Sequence, residues 1–303
     1  FFLENANYFE TPINLFFSRR IGLVDGERVL QQAVPEQAEI VVRRLVVTSI
    51  TSRPLTLDEI RDRAAAERRN GRSIGLVPTM GALHEGHLSL IRRARLENDL
   101  VVVTVFVNPT QYDDPSDLER YPRTLEADLT KVEACGADLV FHPEPGAMYA
   151  DDYRFRVTEA PFSAELEGEH RHGHFDGVLT IVLKLFNLIP ADRAYFGEKD
   201  WQQLLLVREM AAAFFLSVEI VAVPTVREED GLAMSSRNVQ LSPEERALAP
   251  ELFRALSSGA PPEEVAQRLV GAGFEVDYVE RRGDRLLGAV RLGKVRLIDN
   301  VRL

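Results

Sequence analysis

The sequence predicts an α/β fold: a doubly wound parallel sheet followed by a smaller C-terminal α+β domain. Three observations carry this expectation. Strand-length apolar runs alternate with helical stretches over roughly residues 44–225. The run Leu100–Val107 is continuously apolar and rich in valine, as suits a parallel strand buried on both faces. Beyond about Val226 the rhythm changes to helices and then short strands. A length of 303 residues suits two domains. The expected divisions are an extension over 1–43, the doubly wound domain over 44–225 and the small domain over 226–303.

Residues 1–43 crowd aromatics such as Phe1, Phe2, Tyr8 and Phe9 without a clear period, and carry no motif. Glu4 and Glu10 interrupt what a signal peptide would need, and Arg19 and Arg20 follow the aromatics instead of preceding them. This segment is expected to lie outside the folded unit, as a mis-assigned start of the reading frame would. Leu45–Ile50 reads as a strand. Thr56-Leu-Asp-Glu59 is a capping-box signature that opens a helix to about Arg69. Ile74–Pro78 reads as a strand, His87–Glu97 as a helix and Leu100–Val107 as the buried strand. Asn108–Glu119, with Pro109 and Pro115, reads as a polar loop. Thr124–Cys135 follows as a helix and Asp138–Phe141 as a short strand. Pro190 stops a helix begun at Phe175. Arg193–Phe196, Gln202–Phe215 and Val218–Val223 then read as strand, helix and strand. Ser242-Pro-Glu-Glu245 is a second capping box, with proline at the first helical position. Another helix follows Pro262, and Phe274–Val279, Leu286–Arg291 and Val295–Ile298 read as strands.

Composition excludes several classes of function. With 36 Lys+Arg against 47 Asp+Glu the net charge is −11, which disfavours a broad surface for nucleic acid or anionic membrane. A small anionic ligand needs only a local positive site. No apolar stretch approaches the roughly 20 residues of a membrane span. A single cysteine, Cys135, rules out an internal disulfide framework. All six histidines lie between His84 and His174, the one hint of chemistry in the composition.

The first motif is Pro78-Thr-Met-Gly-Ala-Leu-His84-Glu-Gly-His87, which leaves a strand and opens a helix. Open α/β sheets bind ligands at such strand ends, where free N–H groups suit a phosphate. His84 and His87, three apart, share a helical face and can donate to phosphoryl oxygens. Two surface histidines, or a metal pair lacking its third ligand, are the competing readings. Gly197-Glu-Lys199-Asp200 has the same placement, and Lys199 can neutralise phosphate charge, although such tetrapeptides are common at exposed turns. Met234-Ser-Ser-Arg237 offers hydroxyls and a guanidinium to a polyphosphate, or forms a polar turn between domains. Asn108-Pro-Thr-Gln111 places amides after the longest buried strand, where they can orient a substrate group. His170-Arg-His-Gly-His174 reads as a chelating tract or as a ligand-side loop with Arg171 as anion contact.

Taken in order, these segments resemble the pantothenate synthetase (pantoate–β-alanine ligase) family. The resemblance runs from about Leu45 to the C-terminus. It rests on Val77–His87, Phe106–Gln111, Tyr121-Pro-Arg-Thr124, Leu166-Glu-Gly168, Gly173-His-Phe175, Phe196–Asp200 with Gln202 and Gln203, and Val223–Glu228 through Met234–Asn238. The histidine and Met-Ser-Ser-Arg segments also resemble the two signature segments of the wider adenylyl-transferring Rossmann superfamily. The resemblance therefore implies a Rossmann-like fold, in which the 44–225 domain binds nucleotide and pantoate and the 226–303 domain is a lid.

It further implies ATP-dependent condensation of pantoate with β-alanine through a pantoyl adenylate, or alternatively another nucleotidylyl transfer of that superfamily. His87, His84 and Lys199 are the implied catalytic residues. Pro78, Thr79, Met80, Gly81, Ala82, Leu83, Glu85, Gly86, Gly197, Glu198, Asp200, Val226, Met234, Ser235, Ser236 and Arg237 are the implied further ATP contacts. Gln111, Gln203 and Asn108 are implied for the acid and amine substrates. Mg²⁺ is implied with ATP, with Asp128 as its candidate protein ligand; the position before it, acidic in the family, is Ala127 here. His172 stands where the family has proline. A homodimer in the cytoplasm is the implied setting. His84, His87, Lys199, Arg237 and helix N-termini are expected to concentrate positive potential in one cleft of an acidic chain.

Overall fold

The computed structural model describes residues 55–303. The expected strand Leu45–Ile50 and the 1–43 extension lie outside the described residues. Helix α1 (Leu57–Arg69) starts where expected, with the Thr56 hydroxyl and the Glu59 carboxylate capping each other's backbone N–H groups. The chain continues through β1 (Ile74–Thr79), α2 (Glu85–Glu97) and β2 (Leu100–Val105). The stretch expected to be a polar loop instead holds a 3₁₀ turn at Pro109–Gln111 and helix α3 (Pro115–Arg120). Both prolines occupy the first helical position, where a missing N–H costs nothing, and Asp114 caps α3 by accepting from the Ser116 N–H at 2.8 Å.

Helix α4 (Leu125–Ala134), β3 (Leu139–Phe141) and two short helices, α5 (Pro145–Met148) and α6 (Glu167–His170), lead to α7 (His174–Leu188). Then come β4 (Arg193–Gly197), α8 (Trp201–Ala213) and β5 (Glu219–Val223). The first five strands form one parallel sheet in the order β3-β2-β1-β4-β5. Alternation along the strands divides its core. Leu76, Val102 and Phe196 pack with α1, α7 and α8 on one face. Val77, Val103 and Tyr195 pack with α2 and α4 on the other.

Beyond residue 225 the second capping box holds, with Ser242 capping α9 (Pro243–Leu248). Helices α10 (Glu251–Leu256) and α11 (Pro262–Gly271) cover an antiparallel sheet of β6 (Glu275–Arg282), β7 (Arg285–Leu292) and β8 (Val295–Arg302). A separate apolar cluster including Leu252, Leu256, Leu269, Val290 and Leu297 fills this part. Strand β8 runs past the expected end at Ile298, where the buried polar side chains have partners: Asp299 pairs with Arg227, and Asn300 donates to the Glu198 carbonyl and accepts from Arg285 of β7.

Candidate active site

Strands β1 and β4 are neighbours at the centre of the sheet, and the chain leaves them in opposite directions, β1 toward β2 and β4 toward β5. The crevice beyond their carboxyl ends is where open α/β sheets place ligands. A cleft of about 220 Å³ lies there, lined by Met80, His84, His87, Gln111, Lys199, Gln203 and Met234–Arg237 among others.

Immediately after β1 the backbone turns sharply, with Gly81 at φ +81° and Ala82 at φ +50°. A left-handed alanine is strained and persists only where its surroundings enforce it. Asp128, fully buried on α4, supplies that constraint. Its Oδ2 accepts from the Ala82 N–H and its Oδ1 from the Leu83 N–H, both at 2.8 Å, and Thr124 donates to Oδ2 at 3.1 Å.

Both oxygens of Asp128, the candidate metal ligand, thus face the loop and have donors there, which gives this carboxylate a loop-holding task. Among the described residues no group of three or more His, Cys, Asp or Glu side chains converges as a metal site. The residues present therefore do not form a protein cage for Mg²⁺.

The loop delivers His84 as the N-cap of α2. The His84 Nδ1 accepts from the Gly86 N–H at 3.2 Å, and the His87 Nδ1 accepts from the His84 N–H at 3.4 Å. Each ring therefore carries its proton on Nε2, and the two rings lie 4.1 Å apart. Burial, reinforced by the Lys199 charge, holds His84 down to about 4. Burial and its histidine neighbour hold His87 to about 3. These imidazoles are neutral donors, not the cations the sequence suggested. The cations lining the cleft are Lys199, Arg171 and Arg237.

Lys199 sits in the 3₁₀ turn after β4, its Nζ 3.8 Å from the Asp200 carboxylate. Strand β8 sets this turn: Asn300 donates to the Glu198 carbonyl at 2.8 Å and to the Lys199 carbonyl at 3.0 Å. Ser236 donates to the Ala82 carbonyl at 3.0 Å, and Arg237 pairs with Asp117 of α3 at 2.8 Å.

One side of the cleft is built around Gln111. Asn108, 1% exposed, donates to the Gln111 Oε1 at 3.0 Å and to the Gly177 carbonyl at 3.1 Å. Its own Oδ1 accepts from Tyr149 at 2.6 Å and Thr110 at 3.0 Å. Asn108 lines the cleft, and with its side-chain amide so engaged it orients Gln111. Gly177 makes the close approach possible, since a Cβ there would lie 2.4 Å from the Thr110 carbonyl oxygen. His174 donates from Nδ1 to the Gln111 carbonyl at 2.9 Å and accepts from Arg171 at 3.1 Å. Burial and the Arg171 charge hold His174 to about 3. Arg171 makes no ion pair among the described residues, which leaves its charge available to the cleft.

The sequence-selected residues thus divide. Pro78, Thr79, Met80, His84, Gly86, His87, Asn108, Gln111, Gly197, Lys199, Asp200, Gln203, Val226 and Met234–Arg237 line one cleft. Glu85 turns outward to a bidentate pair with Arg92 at 2.8 Å, and Leu83 is buried in the core. Glu198 pairs with Arg285 at 2.8 Å, and Gly81 and Ala82 shape the loop without lining the cleft. A buried bridge, Glu167 to Arg296 at 2.5 Å and to the Tyr278 hydroxyl at 2.8 Å, was not legible in the sequence. Its partners lie more than 100 positions apart and carry no shared motif.

A family model described as Pantoate-beta-alanine ligase matches residues 54–302. The chain is 54% identical to a pantothenate synthetase of Bdellovibrio bacteriovorus over 79% of its length and 95% of the relative's. It is 47% identical to one of Aquifex aeolicus, over 80% and 96%. A crystal structure of pantothenate synthetase from Thermus thermophilus shares 45% identity at a TM-score of 0.74, covering 82% of this chain and 97% of that one. One of a Francisella tularensis pantoate-beta-alanine ligase, complexed with beta-gamma ATP and beta-alanine, shares 36% identity at 0.78, over 82% and 95%. The chain belongs to the pantoate–β-alanine ligase family.

Proposed function

We propose that this protein condenses pantoate with β-alanine to give pantothenate, using ATP and releasing AMP and pyrophosphate. The observation that carries the reading is the meeting, in one cleft, of two Nε2–H imidazole donors and Lys199 with the Gln111/Gln203 amides. Family membership and the nucleotide and amine bound by the Francisella relative support it.

A carboxylate is a poor acyl donor, so the acid is first activated. A pantoate carboxylate oxygen attacks the α-phosphorus of ATP, the α–β bridging bond breaks, and pyrophosphate leaves. The β-alanine nitrogen then attacks the pantoyl carbonyl carbon; the carbon–oxygen bond to phosphate breaks, AMP leaves, and the amine gives up a proton. Negative charge grows on the phosphate in the first step. His84 and His87 donate from fixed Nε2–H positions to its oxygens, and Lys199 supplies the charge there. Because both rings are neutral at pH 7, they need no proton rearrangement to donate.

The nucleotide lies along Pro78–His87, Gly197–Asp200 and Val226, with Asp200 suited to a ribose hydroxyl. Met234, Ser235, Ser236 and Arg237 close over its phosphates, and residues 226–303 act as the lid that keeps water from the acyl adenylate. Gln111 and Gln203 hold pantoate. Mg²⁺ would be held with the nucleotide and not by a cage of protein carboxylates, and would offset the negative charge of the phosphates. A homodimer in the cytoplasm is part of the same proposal, on family membership. Among the described residues no helix is long and apolar enough to cross a membrane.

Product mass after incubation with ATP, pantoate and β-alanine tests the reading. Pantothenate with equimolar AMP is expected. A nucleotide joined to a phosphate acceptor, with no amide formed, would overturn it.

A further inference from the structure

The floor of the cleft holds a polar atom with nothing to bind. Thr104 is 1% exposed, and its Oγ1 has no hydrogen-bond partner. An unpaired buried hydroxyl is costly and rare in folded proteins. Strand alternation fixes where this one points. Leu100 and Val102 of β2 pack on the α7 face of the sheet, whereas Val101 and Val103 pack on the opposite face. Thr104 falls in register with the first pair. There it lines the cleft together with Phe106 and with Val178, Ile181, Val182 and Leu185 of α7. A single hydroxyl set in an otherwise apolar wall binds little by itself, but it can select a ligand that carries one hydroxyl on an apolar body.

We infer that Thr104 is a specificity-determining residue, whose hydroxyl pairs with the terminal hydroxyl of a branched hydroxy acid. The inference rests on the ligase reading above, which places pantoate in this pocket. Pantoate has two methyl groups on the carbon between its hydroxyl-bearing ends, matching the valine, isoleucine and phenylalanine wall. Its carboxylate must face His84, His87 and Lys199 to reach the α-phosphorus. The 2-hydroxyl beside that carboxylate stays near the mouth with it. Thr104 lies within β2, below the Asn108–Gln111 turn, so the end of the acid farthest from the carboxylate is the part that reaches it. The hydroxyl is unsatisfied without ligand and satisfied with it. An acid lacking the terminal hydroxyl leaves both pocket and ligand without that bond, so discrimination is built into the empty pocket.

The test compares kcat/KM for pantoate with that for 2-hydroxy-3,3-dimethylbutanoate, which lacks only the terminal hydroxyl, by pyrophosphate release. Thr104→Val keeps the shape and removes the hydroxyl. It is expected to lower kcat/KM for pantoate by about 10- to 100-fold while leaving the deoxy acid unchanged or better used. Thr104→Ser is expected to restore the preference. A thermal melt without ligand separates this from misfolding: T104V is expected to melt no lower than the parent, because an unpaired polar group has been removed from an apolar wall. If T104V keeps the parent's preference for pantoate, or loses both acids equally, the assignment is wrong. If the parent protein forms no adenylate from pantoate, the ligase reading fails, and the Thr104 assignment with it.

Discussion

The Arg237 guanidinium lies 2.8 Å from the Asp117 carboxylate, joining the segment that precedes α9 to helix α3 across the mouth of the cleft. The pair is mostly buried, and Arg237 also lies over the Tyr121 ring at 5.8 Å. If Arg237 closes on the nucleotide, phosphate must compete with Asp117 for it. Asp117→Asn is therefore expected to tighten ATP binding by about three- to tenfold in calorimetry, and Arg237→Ala to weaken it at least tenfold. Equal affinity in the parent and D117N would show that the pair does not restrain Arg237.

Histidine ionisation gives a prediction with a definite sign. His84, His87 and His174 are held at about 4, 3 and 3 in the fold, against about 6.5 in the unfolded chain. Between those values the unfolded chain binds protons that the folded chain does not. Stability should be complete above about pH 6.5 and fall as pH drops, by about 1.4 kcal/mol per pH unit for each histidine. Glu167 works in the same direction but lower. Burial alone would raise its carboxyl, yet the Arg296 charge holds it to about 2. Its contribution is lost only as pH falls below about 4.5 toward that value. Urea melts from pH 7.5 to 5 check the histidine term, and a flat profile would contradict the neutral rings.

Asp128 separates a structural from a metal-binding role. Asp128→Asn places an amide N–H₂ against the Ala82 and Leu83 N–H groups that the carboxylate now satisfies. The expected loss is about 2 kcal/mol of stability, with the Mg²⁺ dependence of pyrophosphate release unchanged. A shifted Mg²⁺ midpoint at unchanged stability would restore the metal role.

Glu167 ties α6 to Arg296 of β8 and Tyr278 of β6. Glu167→Gln removes one of the two buried carboxylates that pair with Arg296, leaving Asp277 at 2.6 Å, and breaks the charge of the network that joins the two segments. We expect a loss of about 3 kcal/mol in chemical denaturation, together with slower adenylation. Unchanged stability would mean that the bridge does not hold the two segments together.

The helix starts at Thr56 and Ser242 were legible because a capping box is a local signal, readable within four residues. The parallel strands were legible from the valine run of β2 and the rhythm around it. Helix α3 was not, since Pro115 reads as a breaker until its place at the first helical position is seen. The cleft residues of the two strand-end loops were legible as motifs, but their individual tasks were not. Nothing in the sequence distinguishes His84, which faces the cleft, from Glu85 beside it, which faces Arg92. Asp128, Asn108 and Thr104 take their roles from partners on other elements: the 80–83 loop, the Gln111 turn and the wall of α7. Long-range pairings of that kind leave no spacing pattern.

The most direct test of the account is exchange of labelled pyrophosphate into ATP, with pantoate present and β-alanine withheld. The parent protein is expected to show pantoate-dependent exchange, and folded Lys199→Ala and His87→Ala variants to lose it by at least a hundredfold. Absence of exchange in the well-folded parent, or near-normal exchange in either variant, would contradict the account.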